Sequence, residues 1–263
     1  ERYGAIGGRR AFHMPKGCRT ILKQIFAGMC GISFLAAHHG HDVGRPLDVE
    51  IEDHPWDGNS SAGRKELMLD LEAEDPYCMI STLPCSPWGA WSRYRLAIGG
   101  DERRSVLEKR DAARPHLKLV NDTIVSRVKR GRHVLQEGPS NSDAMKQPEM
   151  AGVRKLEAEG KIFKVQCPGC QLGYHDKESG KPNHKRMEFW TTLKDFAGKI
   201  SQLKCDHKPE EHEILQGRNA FGGRTRQAAQ WPPQLDQMVL ACIEKELMDE
   251  LTQQDPENLV CFE

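Results

Sequence analysis

The chain of 263 residues has no net charge to speak of: Lys plus Arg and Asp plus Glu number 38 each. Bulk electrostatic attraction to nucleic acid or to an anionic membrane is therefore missing, and any such partner must be met by a local patch. It also lacks an apolar run approaching the roughly 18 residues of a membrane span. Its start, ERYGAIGGRRAFHMPKG, lacks the apolar core of a signal peptide. Internal repeats and low-complexity tracts are missing too. These absences predict an intracellular protein, a monomer with no membrane partner, and the composition sets aside disordered and collagen-like classes. Glu rather than Met at the first position reads as a fragment or a processed chain.

Cysteine is present but not framed. Nine cysteines, an odd number, are scattered through a chain too long to need staples, which predicts reduced thiols.

The apolar runs then give the order of elements. TILKQIF, small residues at Ala27, Gly28 and Gly31, and SFLAAHHG read as strand, tight turn and helix. DVGRPLDVEI reads as a second strand, RKELMLDLEAED as a helix, and YCMISTL as a third strand. That alternation predicts an α/β fold with a mostly parallel sheet. DERRSVLEKRDAARPHLKLVNDTIVSRVKRG is a long helical stretch that Pro115 should kink or divide. RHVLQEG is a further strand, followed by the helix GVRKLEAEG. KIFKVQC and KRMEFWTT, joined through a loop, predict an antiparallel hairpin at the sheet edge. WPPQLDQMVLACIEKELMDEL is an amphipathic helix opened by prolines.

Four constellations carry chemistry. The glycine turn lets backbone approach a ligand beside free helix N–H groups, and Asp48, at the end of the second strand, suits the hydroxyls of a ribose. Together they point to a nucleoside-bearing cofactor. STLPCSPWGAWSR places Cys85 after a strand, at the sheet end where ligands bind, within a rigid Pro-flanked loop. Nucleophile, metal ligand and buried thiol are all open for Cys85 at this point. Glu137, also at a strand end, suits a general acid or an anchor for a ring nitrogen, though surface Glu is usually just solvated. Finally Cys167, Cys170, Cys205, His207 and His212 offer enough ligands for zinc, structural rather than catalytic, against the plain alternative of reduced thiols and surface histidines.

In this order the motifs resemble the DNA cytosine-5 methyltransferases. IFAGMCGISFLAAHHG is similar to their first motif, with Phe26, Gly28 and Gly31 in place and Cys30 standing for a glycine. LPCSPWG resembles their Pro-Cys motif, Cys85 matching the nucleophile and Gly89 standing for its closing serine; Pro84 falls among the cofactor-binding positions. Glu137 matches the glutamate of their Glu-Asn-Val motif, Gly138 standing for the Asn, and Asp57 matches an acid near the adenine. The final helix is similar to a last motif that returns to the cofactor site.

The resemblance implies a Rossmann-like class I methyltransferase fold, a three-layer sandwich, over residues 20–245. An N-terminal extension would occupy 1–19, a short recognition region 160–230, and a tail 246–263. It implies S-adenosylmethionine as cofactor and a flipped-out cytosine in DNA as substrate, attacked at C6 by the Cys85 thiolate so that C5 takes the methyl group. Arg93, Arg95, Arg103 and Arg104 become candidates for phosphate contacts. The layout is closer to compact methyltransferase-like domains of mobile-element polyproteins, whose alternative role would be a non-catalytic, zinc-stabilised nucleic-acid-binding module. An amino-methyltransferase fits poorly, since those enzymes use a Pro-Pro-aromatic motif and need no thiol.

Overall fold

A computed structural model describes residues 14–254. Most of the extension expected over 1–19, and 255–263 of the tail, lie outside the described residues. Five strands form one mixed sheet: β1 (Leu22–Ile25), β2 (Cys78–Thr82), β3 (His133–Pro139), β4 (Phe163–Pro168) and β5 (Arg186–Thr191), in the order β1-β2-β3-β5-β4. The first three are parallel. The expected hairpin forms, but its second strand inserts: β5 lies antiparallel between β3 and β4, leaving β4 at the edge. The result is an α/β fold compatible with a Rossmann-like arrangement.

Period-two alternation divides each strand between two cores. Cys78 and Ile80 of β2, Leu135 of β3 and Phe189 of β5 face one apolar cluster, whereas Met79, Val134 and Trp190 face the other. Helices α1 (Gly31–His38), α6 (Lys194–Gln202) and α8 (Pro233–Gln254) cover the first side. Helices α2 (Ser61–Glu74), α4 (Gly100–Lys129) and α5 (Ala151–Ala158) cover the second. Between β2 and α4 lies the short α3 (Ala90–Ile98); a two-residue hairpin, β6 (Arg218–Asn219) with β7 (Gly222–Gly223), and α7 (Arg224–Gln227) precede α8. In α8, buried Leu235, Val239, Ile243 and Leu247 recur every four residues, and the helix runs through residue 245 without a break. Among the described residues no helix is long and apolar enough to cross a membrane.

Two sequence expectations fail for identifiable reasons. The second strand, expected over DVGRPLDVEI, is reduced to two isolated bridges, Leu22 with Val43 and Ile25 with Leu47. Pro46 has no N–H to donate, so the ladder cannot run through it. Pro115 does not divide α4, which continues from Gly100 to Lys129. Pro115 and Asp111, whose carbonyl it leaves without a donor, are both exposed, so the missing bond falls on the solvent side of the helix.

The least expected core residue is Lys23. It sits in β1 with 0% exposure, its Nζ 2.7 Å from Asp70 Oδ2 and 3.0 Å from a Glu74 carboxylate oxygen on α2. Burial raises the Asp70 pKa, but Lys23 and Arg45 outweigh it and hold the group below the usual carboxylate range. Lys23→Ala strands those carboxylates beside a cavity, and a loss of about 3 kcal/mol is expected in urea unfolding at neutral pH. Because the folded pKa of Asp70 is depressed, its share of that stability is present above the unfolded value and vanishes as pH falls through the folded one. The gap between Lys23→Ala and the parent should therefore narrow in acid.

Candidate active site

Cys85 stands at the tip of the loop leaving β2, and the loop is fixed on both sides. Trp88 is wholly buried, and its backbone N–H donates to the Cys85 carbonyl at 3.0 Å. The Arg110 guanidinium lies 5.1 Å from the centre of the Trp88 ring, with Nε donating to the Pro87 carbonyl at 2.9 Å and Nη2 to Asp143 at 2.7 Å. The backbone N–H of Asp143 returns a bond to the Trp88 carbonyl at 2.9 Å. Ser92, in α3, donates to the Ser86 carbonyl at 2.6 Å. A rigid frame thus holds the Cys85 side chain toward the carboxyl end of the sheet.

There it borders a cavity of ≈ 480 Å³ that Phe26, Gly28 and Gly31 of the glycine turn, Pro84, Cys85 and Glu137 all line. The sequence-predicted turn, Cys loop and strand-end acid are therefore brought to one place. Gly28 has φ +51° and nothing within 4 Å of where a Cβ would be, so the turn presents bare backbone. Gly31 has a different need: a Cβ there would lie 2.4 Å from Asp236 Oδ2, which reaches from α8 to the cavity wall beside the α1 N-terminus. Phe26 is also left-handed, φ +53°, and packs edge-on against Trp56 and His116 at 5.3 and 5.1 Å. Gln24 ties the turn to α1, donating to the Ala27 carbonyl at 3.2 Å and accepting from Ser33 Oγ at 2.9 Å.

Two of the expected cofactor-binding acids stand apart from the other lining residues. Asp48 does not line the cavity; its carboxylate accepts from the N–H groups of Gly28 and Glu50, both at 2.8 Å, so it positions the glycine turn. Glu50, two residues on, is the acid that lines the cavity. Asp57 does not line it either: it is exposed and accepts from the Asn59 N–H at 2.8 Å, in the turn that leads into α2.

Glu137 is only 9% exposed. Burial raises its pKa, opposed by the Lys185 ammonium and by a hydrogen bond from the Trp231 indole, and the net direction is upward. Cys85 is open to the cavity yet hemmed in by protein; burial and then the Glu137 charge raise its pKa, with Lys185 opposing. Lys185 immediately precedes β5, donates to the Ala228 carbonyl at 2.7 Å and lies 4.2 Å from the centre of the Tyr174 ring. Desolvation lowers its pKa, while Glu137 and Cys85 pull the other way. One acid, one thiol and one cation thus sense each other inside a low-dielectric wall. Sequence reasoning missed Glu50, Lys185, Trp231 and Asp236 as site residues. Trp231, in the segment just ahead of α8, and Asp236, in its first turn, line the cavity.

The departures from the resembled motifs do not obstruct. Cys30 takes the left-handed backbone that a glycine would, φ +53°, is buried, and has its thiol pushed up to about 11 by desolvation. A Cβ on Gly89 would meet only the Cys85 carbonyl, at 3.6 Å, and one on Gly138 would meet nothing within 4 Å.

The four arginines do not form a free basic face. Arg93 donates to the Asn141 carbonyl at 2.6 Å and lies 3.5 Å from Asp143; Arg95 pairs with Glu102, and Arg104 with Asp101 at 3.4 Å. Arg103 is exposed and makes no ion pair among the described residues. Cys170, Cys205, His207 and His212 come together, all ligand atoms within 4.8 Å of one another. Cys167 is not in that set: it is buried in the apolar core beneath α6 and α8.

No known protein-family model matches the chain, and no curated protein matches it.

Glu137→Gln removes the negative charge that holds the Cys85 thiol up, so the Cys85 pKa should fall; Lys185→Met removes the opposing cation, so it should rise. The pH dependence of iodoacetamide alkylation, followed on the Cys85 peptide, reads both shifts. Identical profiles in all three proteins would show that the groups do not sense one another.

Proposed function

We propose that the protein is an S-adenosylmethionine-dependent methyltransferase that modifies C5 of cytosine in DNA. The observation that carries this reading is the convergence of the glycine turn, the Cys85 loop and Glu137 on one cavity. A mixed sheet that begins with three parallel strands and carries helices on both sides is compatible with the Rossmann-like fold that the resemblance implies.

The residues present fit the cofactor. Gly28 leaves room for close backbone approach, Phe26 and Trp231 offer apolar wall, and Glu50 and Asp236 offer acids for hydroxyl and cationic groups. When bound, S-adenosylmethionine supplies an electrophilic methyl group.

Everything else is asked of the chain. C5 of a pyrimidine is a poor nucleophile; addition of the Cys85 thiolate at C6 makes it enamine-like. Glu137, its pKa raised by burial, is the group placed to give a proton to N3 as the C6–S bond forms. The carboxylate so produced is held by the Lys185 ammonium and the Trp231 N–H. Once C5 is methylated, a water molecule takes the C5 proton, the C5–H electron pair restores the C5–C6 double bond, and the thiolate leaves C6. N3 returns its proton to the Glu137 carboxylate, which releases the base and resets the site. Lys185 also favours the thiolate that begins the cycle.

A base in a duplex must leave the stack to enter the cavity. Trp91 and Tyr94, on the helix that follows the Cys loop, stack at 5.2 Å and are 69% and 57% exposed. Such a platform suits unstacked bases and needs no net positive charge.

Transfer of labelled methyl from S-adenosylmethionine to DNA is the direct assay. Cys85→Ser is expected to lose transfer entirely, and Glu137→Gln to lose about 10²–10⁴-fold. No methyl transfer by the parent protein, with DNA binding the same in Cys85→Ser, would instead favour the non-catalytic nucleic-acid-binding module.

A further inference from the structure

We propose that Cys170, Cys205, His207 and His212 form a structural zinc site, whose occupancy is measured without any reference to methyl transfer. The argument is geometric. Zinc bonds thiolate at about 2.3 Å and imidazole at about 2.0–2.1 Å in a tetrahedron, so the ligand atoms of such a site should stand about 3.8 Å apart for two sulfurs and about 3.6 Å for sulfur and nitrogen. Here Cys170 Sγ and Cys205 Sγ are 3.5 Å apart, Cys205 Sγ and His207 Nδ1 3.5 Å, and Cys205 Sγ and His212 Nε2 3.3 Å. Two sulfurs at 3.5 Å are well outside the roughly 2.05 Å of a disulfide.

The ligand atoms are also oriented. Nδ1 of His212 faces the Lys208 carbonyl at 3.2 Å, and a carbonyl can only accept. That bond puts the proton on Nδ1 and leaves the Nε2 lone pair directed at Cys205, the outer-shell arrangement that metal-bound histidines use. Two cysteines and two histidines complete a four-coordinate shell with no position left for substrate, which marks the site as structural. Cobalt and cadmium share this ligand preference; calcium and magnesium, which take oxygen ligands, do not.

The place of the site gives it a purpose. Cys205, His207 and His212 belong to the segment after α6, whose Glu213 pairs with the loop before β5: the His184 N–H donates to Glu213 at 2.9 Å, and the Glu213 N–H to Pro182 at 2.8 Å. From the other side Gly169, next to Cys170, donates to the Lys185 carbonyl at 2.7 Å. Zinc would thus pin together the two pieces of chain that flank Lys185 and hold its ammonium at the cavity.

The test is metal content of the full chain purified without added metal, with cobalt reconstitution as a second readout. One zinc per chain is expected, and the cobalt form should show the intense visible bands of a tetrahedral site with thiolate-to-metal charge transfer. Cys205→Ser and His212→Ala should fall from one zinc to none, while Cys167→Ser keeps it. Wild-type protein that retains no zinc and gives only a weak octahedral cobalt spectrum would overturn the site, as would full zinc in Cys205→Ser. A Cys170–Cys205 disulfide, found by intact mass in protein purified under reducing conditions, would overturn it as well. The wild-type measurements stand even where a variant fails to fold, and none of them depends on methyl transfer.

Discussion

Glu137 is a carboxyl group buried at the end of a central strand, and the chain around it is arranged to make that burial tolerable. An isolated buried carboxylate costs several kcal/mol, so it either takes a proton or finds a cation and donors. Here desolvation raises its pKa, and Lys185 and the Trp231 N–H partly offset it. Lys185 reaches the site only because β5 inserts beside β3, and Trp231 only because the chain returns to the sheet ahead of α8. Cys85 then feels both charges. Placing this trio is the task the rest of the fold performs.

The glycine turn and the Cys loop answer to the same need for rigidity. Asp48 ties down Gly28, Gln24 ties down Ala27, and Trp88 with Arg110 and Asp143 closes the far side of the Cys loop. Each tie satisfies backbone groups that an irregular loop would otherwise leave to water. Strain is accepted at Phe26 and Cys30, both left-handed without being glycine, at a cost of about 1–2 kcal/mol each. Asp75 and Asn141 are left-handed as well, so this strain is not confined to the cavity.

Much of this was legible in the sequence. Apolar runs marked β1, β2 and β3, four-residue spacing marked α8, and the small residues after β1 marked the turn. Cys85 was readable because it follows the end of β2, and Glu137 because it lies at the end of an apolar run, two residues inside the end of β3. What failed was non-local. Alternation cannot say which neighbour a hairpin strand chooses, so the insertion of β5, and with it Lys185, was hidden. Asp48 was misread because a strand end points to a ligand only if the strand exists, and Pro46 breaks it. Glu50 stands where that break moves the chain. Cys167 shares a C-x-x-C with Cys170, yet the turn after β4 sends the first thiol into the core and the second outward to Cys205. Opposite charges near Arg93, Arg95 and Arg104 were visible in sequence, but their pairing depends on side-chain packing.

The central claim is that Cys85 forms a covalent bond to a cytosine ring while Glu137 supports it from the other side of the cavity. Incubation with S-adenosylmethionine and DNA carrying 5-fluorocytosine, followed by digestion and mass spectrometry, tests it most directly, because fluorine at C5 cannot leave as a proton and the adduct is trapped. A cofactor-dependent adduct on the peptide containing Cys85, absent from Cys85→Ser, is the expected result. Bound cofactor with no adduct, or an adduct that survives in Cys85→Ser, would contradict it.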